Sequence, residues 1–184
     1  MVEPPLMQER EIALLCELAG QVVPDREIVE IGSYAGGSAQ RMAAVPGRGA
    51  HITCIDPWDS DYAGDEIMER FLAVVDWSAV TALRGLSHEI ARLWMKPIGL
   101  LFIDAEHSYP SVLADYQAWS GFIPSGGFLV FHDYSRTPRR STPWTEGTCK
   151  VVNQTVMPSG LWTPLAEMDP VLKDGGGLWA GVRN

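Results

Sequence analysis

The sequence has few cysteines, too few basic residues to balance its acids, and no long apolar run. Its three cysteines show no CxxC spacing, so we expect neither a disulfide framework nor a zinc knuckle. The 14 Lys and Arg against 23 Asp and Glu give a net charge of −9, which repels phosphate backbones and disfavours a nucleic-acid partner. Without a long apolar segment or a basic leader, we expect no membrane association and a cytoplasmic location.

The 184 residues, 46% of them apolar, are predicted to form one globular domain over residues 1–184. Short apolar, β-branched runs alternate with helical patterns after a leading helix within residues 1–20. Strands are predicted at 27–32, 51–56, 79–84, 99–104 and 126–133. This alternation predicts an α/β fold, with a Rossmann-like, doubly wound and mostly parallel sheet.

The segment after the fifth predicted strand has a different composition. Residues 134–147 are rich in Pro, Thr, Ser and Arg, so we expect a loop there, on the substrate side of the domain. A helix is predicted at 149–156. The runs at 161–168 and 177–184 then predict an antiparallel C-terminal strand pair that closes the sheet.

The predicted strands end in polar residues, and in open parallel sheets ligands bind just beyond the carboxyl ends of the strands. Carboxylates or imidazoles end four of the strands, and the end of the third is also polar. The repetition predicts a shared crevice, the alternative being that each is an ordinary polar loop residue.

The turn after the first strand contains Gly32 and Gly36, which let the backbone approach a ligand closely. The dinucleotide fingerprint GxGxxG would need glycine at Tyr34, so the turn favours a small anionic group, such as an amino-acid carboxylate, over a pyrophosphate. The alternative is a glycine required only for steric reasons.

An acid also ends the second strand, 26 residues after Glu30. In this position the Asp56 carboxylate can accept hydrogen bonds from both hydroxyls of a ribose, which indicates a nucleoside ligand. The alternative is a helix cap or a turn acid before Pro57.

Five motifs follow one another through this pattern: IVEIGSYAGGS, ITCIDPW, LRGLSHE, LLFIDAEHSYPSVLADYQAW and IPSGGFLVFHDY. In these motifs and their order the chain resembles the class I S-adenosylmethionine-dependent methyltransferases. In particular, it resembles the small metal-dependent O-methyltransferases of the caffeoyl-CoA, catechol and macrolide-sugar type. The resemblance implies the class I methyltransferase fold, S-adenosylmethionine as cofactor, and cofactor-binding roles for Glu30, Gly32, Ser33, Gly36, Asp56, Trp58, Gly85, Ser87 and Asp104. Trp58 would pack on the adenine edge, with a plain core position as the alternative.

Two acids end adjacent central strands, where both can reach one divalent cation. We predict a metal site at Asp104, His132 and Asp133, with Mg²⁺ or Mn²⁺ as the cation. Because the resembled enzymes have an acid where this chain has His132, the metal identity stays open, and imidazole suits manganese, iron or zinc better than magnesium. The alternative is that Asp133 caps the next segment and His132 packs against the cofactor.

His107 follows Asp104 by three residues, so a turn leaving the fourth strand can present both to one substrate. The macrolide-sugar methyltransferases have a DxxH motif of this spacing. By that resemblance His107 is the general base and Asp104 the second catalytic residue, while a purely structural loop histidine is the alternative.

Together these observations predict an S-adenosylmethionine-dependent O-methyltransferase that acts on a small hydroxylated metabolite, a sugar or a phenol, in specialised metabolism. Two alternatives are an NAD-dependent oxidoreductase and a non-catalytic nucleoside-binding Rossmann-like protein. The sequence leaves the acceptor and the oligomeric state open, a homo-oligomer included.

Overall fold

The computed structural model describes residues 6–47, 49–59, 64–136, 143–170 and 176–184. Seven strands form one sheet: β1 (Glu27–Ile31), β2 (Ile52–Asp56), β3 (Val80–Arg84), β4 (Ile98–Ile103), β5 (Phe128–His132), β6 (Trp162–Met168) and β7 (Leu178–Arg183). The α-helices of the described residues are α1 (Glu9–Gly20), α2 (Gly37–Ala43), α3 (Gly64–Val74), α4 (Ser87–Ile90), α5 (Tyr109–Trp119) and α6 (Pro143–Val151).

The strand order is β3-β2-β1-β4-β5-β7-β6, with β1 to β5 parallel and β7 antiparallel to both of its neighbours. The predicted fold class, including the antiparallel C-terminal pair, is confirmed. After β3 the chain crosses to the other half of the sheet, so the strand order reverses between the neighbouring strands β1 and β4. This reversal is the topological switch point at which open α/β sheets bind their ligands.

Alternate residues of the central strands face opposite sides of the sheet, because side chains of a strand point to its two faces in turn. In β4, Leu100 and Phe102 belong to the core beneath α1, α2 and α3, whereas Leu101 and Ile103 belong to the core beneath α5 and α6. All four are fully or almost fully buried. Two apolar layers therefore hold the central strands rigidly and fix where their carboxyl ends lie.

The structure corrects the expected loop at 134–147. Helix α6 begins at Pro143, so residues 143–147 are helical, and residues 137–142 lie outside the described residues. Proline is favoured at the first position of a helix, where its missing N–H costs no hydrogen bond, and the composition argument overlooked this.

Two further observations bear on the expectations from the sequence. Cys16, Cys54 and Cys149 form no disulfide bond among the described residues. Within the described part of the chain, no helix has the length and apolarity needed to cross a bilayer.

Candidate active site

The turn after β1 lies directly against the end of β4. The N–H of Gly32 donates to Ile55 O (2.9 Å), and the N–H of Asp104 donates to Ile31 O (2.9 Å). Gly32 has a left-handed φ of 86°, and a Cβ there would collide with the backbone carbonyl of Asp104. Only glycine fits at this contact, which joins the predicted cofactor turn to Asp104, a predicted catalytic residue.

Asp56 lies at the end of β2 and holds the turns after β1 and β2 together. Its Oδ2 accepts from the N–H of Tyr34 (2.9 Å) and its Oδ1 from the N–H of Trp58 (2.8 Å). Burial raises the pKa of Asp56, and these backbone hydrogen bonds oppose that shift. Asp56 therefore does serve as a turn acid, which was the alternative to ribose binding. The carboxylate has acceptor capacity beyond its backbone partners that a ribose hydroxyl can use.

Trp58 lies in the core, which was the alternative to a contact with the adenine. Its side chain is 2% exposed, its ring lies 4.9 Å from that of Phe71 on α3, and its Nε1–H donates to Tyr34 O (2.9 Å). The predicted contact with an adenine edge does not fit this burial. The indole is explained by packing beneath the turn that it supports.

Glu30 is fully buried, and both of its oxygens accept hydrogen bonds from within the protein. Ser38 Oγ donates to Oε1 (2.5 Å) and Cys54 Sγ donates to Oε2 (3.3 Å). Burial raises the pKa of Glu30 to about 7. Ser33 Oγ lies close to Glu30 and opposes that rise, but this buried hydroxyl has no well-aligned hydrogen-bond partner among the described residues. In this turn the Ser33 hydroxyl can therefore still bond to a ligand, whereas both oxygens of Glu30 already have partners.

Gly36 is the N-cap residue directly before α2 and has a left-handed φ of 84°. It is buried where α2 meets α3, and a Cβ there would press against Phe71, Val74 and Val75. The structure gives this glycine a packing position beneath the turn, and its predicted contact with the cofactor stays a prediction.

The turn after β3 is tied to its surroundings at both of its predicted cofactor residues. The N–H of Gly85 donates to Asp56 O (3.1 Å), which connects the ends of β2 and β3. Ser87 Oγ donates to Asp115 on α5, a buried carboxyl whose pKa is raised by burial. The Ser87 hydroxyl is used within the protein, and the exposed side chain of Leu86 stands between the two predicted residues.

His132 ends β5 and is buried among three carboxylates. Its Nδ1 lies 3.1 Å from Asp104 Oδ1 and 3.4 Å from Asp133 Oδ2, and its Nε2 lies 3.3 Å from Glu11 Oε2. Although burial lowers it, the carboxylates raise the pKa of His132 well above its ordinary value. Both ring nitrogens therefore face carboxylate oxygens, to which a protonated imidazole can donate from both sides.

The prediction missed Glu11, which α1 brings to this cluster. Its carboxylate is fully buried and accepts from the N–H of Gln8 (2.9 Å) and the N–H of Gly177 (2.8 Å). Burial raises the pKa of Glu11, but His132 and these N–H groups outweigh it and leave the pKa lowered. The sequence did carry a signal, because an acid four residues before Leu15 lies on the apolar face of α1.

His107 and Asp133 form a pair. His107 Nε2 lies 2.5 Å from Asp133 Oδ2, and the N–H of Gly176 donates to Asp133 Oδ1 (2.7 Å). The bond to Asp133 raises the pKa of His107, with burial opposing. Burial raises the pKa of Asp133, but the two histidines outweigh it and hold that pKa well below its ordinary value. The result is a basic imidazole oriented by a charged carboxylate.

Asp104, His107 and Asp133 each offer one ligand atom, and these atoms all lie within 4.8 Å of one another. Two carboxylate oxygens and one imidazole nitrogen suit a divalent cation such as Mn²⁺. This candidate set differs at one position from the set predicted from the sequence, which stays a prediction. His132 directs both nitrogens at carboxylates inside the protein, and His107 takes its place in the candidate set.

Comparison with known proteins places this site in a family. A family model described as a methyltransferase domain matches residues 29–134, more than half of the chain. An uncharacterized protein of Acanthamoeba polyphaga mimivirus is 25% identical over 148 residues, which cover 76% of this chain and 64% of that protein. The chain thus spans less than two thirds of the length of this relative.

Two solved structures share the fold. The O-methyltransferase from Bacillus cereus in complex with SAH has a TM-score of 0.71 at 17% identity, covering 99% of this chain and 84% of that chain. The O-methyltransferase TomG from Streptomyces achromogenes, in complex with SAM, has a TM-score of 0.65 at 18% identity, covering 97% and 81%. With the family match over β1 to β5, the conclusion is that this chain belongs to the methyltransferase-domain family.

Proposed function

We propose that this domain is an S-adenosylmethionine-dependent O-methyltransferase that acts on a small hydroxylated metabolite such as a sugar or a phenol. One observation carries the proposal: the Gly32 turn lies in direct contact with Asp104, beside His107 and Asp133. A nucleoside cofactor over that turn would present its reactive group to the acid and imidazole cluster. The Bacillus cereus enzyme and TomG, which share the fold, are O-methyltransferases solved with SAH and SAM.

The donor set of the first two turns fits this cofactor. S-Adenosylmethionine supplies an electrophilic methyl group on a positively charged sulfur. The buried Ser33 hydroxyl and the turn backbone would hold the methionyl part, and the remaining lone pairs of Asp56 would hold the ribose. These contacts would hold the cofactor beside the ends of β4 and β5, and such positioning is the main requirement of a methyl transfer.

His107 is proposed as the general base that removes the proton from the acceptor hydroxyl. Asp133, 2.5 Å away, orients the imidazole and stabilises its protonated form after the transfer. The side chain of Asp104 is 21% exposed and lies beside the same space, where it can accept a hydrogen bond from the acceptor.

The same three side chains favour a second use. A divalent cation held by Asp104, His107 and Asp133 would itself lower the pKa of an acceptor hydroxyl. With His107 as a ligand the enzyme needs the cation, and with His107 as the base it does not. Activity that survives EDTA supports the base role, and activity restored only by Mn²⁺ or Mg²⁺ supports the ligand role.

Isothermal titration with S-adenosylmethionine tests the proposal. We expect micromolar affinity, weakened about tenfold or more in Asp56→Ala and changed less than about threefold in His107→Ala. His107→Ala should lose turnover on hydroxylated acceptors, which separates cofactor binding from chemistry. A rise in melting temperature with NAD, and no binding of S-adenosylmethionine, would contradict the proposal in favour of an oxidoreductase.

A further inference from the structure

We propose that Glu11 is a positioning residue that fixes the imidazole of His132 and, through it, the carboxylates of Asp104 and Asp133. The importance of those two acids rests on the proposed function, but the contacts do not. Glu11 is fully buried, whereas the side chain of Asp104 is 21% exposed. Glu11 therefore has no access to a substrate and acts through His132.

The Glu11 carboxylate is held from three directions by three separate parts of the chain. Its Oε2 accepts from the N–H of Gln8 at the start of α1 and faces Nε2 of His132 at the end of β5. Its Oε1 accepts from the N–H of Gly177, just before β7. Three partners restrain a carboxylate that has about four acceptor sites, so its position is determined closely.

His132 transmits this position because an imidazole is rigid and planar. With Nε2 held by Glu11, Nδ1 points to Asp104 Oδ1 at 3.1 Å and Asp133 Oδ2 at 3.4 Å. Without Glu11 the buried ring would lose one partner and one restraint on its rotation. Asp104 and Asp133 would then lose the fixed position of the ring nitrogen that they share.

A second link couples Glu11 to the same acid. The successive N–H groups of Gly176 and Gly177 donate to Asp133 Oδ1 (2.7 Å) and Glu11 Oε1 (2.8 Å). Both glycines have a left-handed φ of 88°, and a Cβ at Gly177 would collide with Tyr134 O. The two consecutive N–H groups thus bind both carboxylates, as consecutive backbone amides do in other anion-binding sites.

Long-range ¹H–¹⁵N spectra of the four histidine rings test the proposal without any acceptor or cofactor. In the wild type we expect one buried histidine with two slowly exchanging ring N–H protons. Glu11→Ala should lose the Nε2–H signal and shift the Nδ1–H signal. Glu9→Ala is the matched control, because it removes an exposed carboxylate of the same helix turn, paired with Arg41, and should change neither.

Activity provides the second measurement. We expect Glu11→Ala to lower kcat about tenfold or more, with the KM for S-adenosylmethionine within about twofold, as for partners that orient the groups around a reaction centre. Glu11→Gln preserves volume and one oxygen acceptor, so it should fold and lose less. A merely structural role would change stability and leave the ring signals in place.

Three results would overturn the proposal: no protected pair of ring N–H signals in the wild type, both signals unchanged in Glu11→Ala, or equal losses in Glu11→Ala and Glu9→Ala. If Glu11→Ala does not fold, the wild-type and Glu11→Gln spectra still decide. If the protein binds no S-adenosylmethionine, the proposed function fails while the spectra still judge the role of Glu11.

Discussion

The ends of β1 and β2 and the ends of β4 and β5 lie side by side, yet they are held by different kinds of contact. Around Asp56 the partners are backbone N–H groups of the neighbouring turns. Around His132 the partners are side chains that come from α1, β4 and β5. The first region depends on local chain geometry, and the second depends on the whole domain being assembled.

The two regions also shift the pKa values of their carboxyl groups in opposite directions. Burial raises the pKa of Glu30 to about 7 and also raises that of Asp56. In the other region the histidines outweigh burial and lower the pKa of Asp133, and His132 with two backbone N–H groups does the same for Glu11. The pKa values of these carboxyl groups are therefore shifted upward on one side of the site and downward on the other.

The largest effect is expected where the two regions touch. Gly32→Ala adds a Cβ that collides with the backbone of Asp104 at a left-handed φ, so we expect a loss of about 4 kcal/mol in the free energy of unfolding. Gly126→Ala is the control, because Gly126 has a similar φ of 78° with nothing nearby, and should cost about 1 kcal/mol. Equal losses in urea unfolding would show that the junction is not tight.

A change of pH should separate the regions next. Because the folded pKa of Glu30 lies above its unfolded value, its contribution to stability is full below about pH 4.5 and falls as the pH rises towards about 7. Glu30→Gln removes this loss, so from pH 4.5 to pH 8 its stability should gain about 3 kcal/mol relative to the wild type.

Urea unfolding across that range measures the difference, with Glu17→Gln on the exposed surface of α1 as the control. The lowered pKa values of Asp133 and Glu11 act with the opposite sign. Their contribution is lost as the pH falls through the acid range, below the window in which Glu30 titrates. A parallel pH dependence of wild type and Glu30→Gln would contradict the contrast.

Metal binding tests the second region alone. If His107 is a ligand and His132 only orients the acids, His107→Ala should weaken Mn²⁺ binding about 100-fold and His132→Gln about tenfold. Electron paramagnetic resonance of free Mn²⁺ measures both constants. A larger loss of Mn²⁺ affinity in His132→Gln than in His107→Ala would favour the ligand set predicted from the sequence.

The smallest effect is expected at Ser87. Ser87→Ala leaves Asp115 without its hydroxyl donor and should cost about 1 kcal/mol of stability. The affinity for S-adenosylmethionine should change less than about twofold, because the hydroxyl already has a partner within the protein. Ser78→Ala, at an exposed serine bonded to Asp76, is the control. A tenfold loss of affinity for S-adenosylmethionine in Ser87→Ala would instead support its predicted role in cofactor binding.

The sequence was sufficient for what local pattern determines. The apolar strands, the Gly32 turn and the three-residue spacing of Asp104 and His107 all follow from short stretches, and the sheet confirms the predicted fold. The start of α6 was missed because composition was weighed above the preference of proline for a helix start.

Side-chain roles at the site were harder to predict because they depend on residues far apart in the chain. The burial of Trp58 depends on its contact with Phe71 on α3. The orientation of His132 depends on Glu11, which lies 121 residues earlier in the chain. An isolated histidine after a strand gives no sign of whether its nitrogens face a cation or carboxylates. Only the packing of α1 against the sheet decides it.

The hydrogen bond from Gly177 to Glu11 joins residues 166 positions apart, and β7, which follows Gly177, pairs between β5 and β6. A ribosome releases the start of α1 long before it releases this glycine. The nascent chain can therefore form the β1 to β5 sheet, and the turn over it, while the acid and imidazole cluster is still incomplete. The acid and imidazole cluster is therefore completed only after Gly177 has been synthesised and β7 has entered the sheet beside β5.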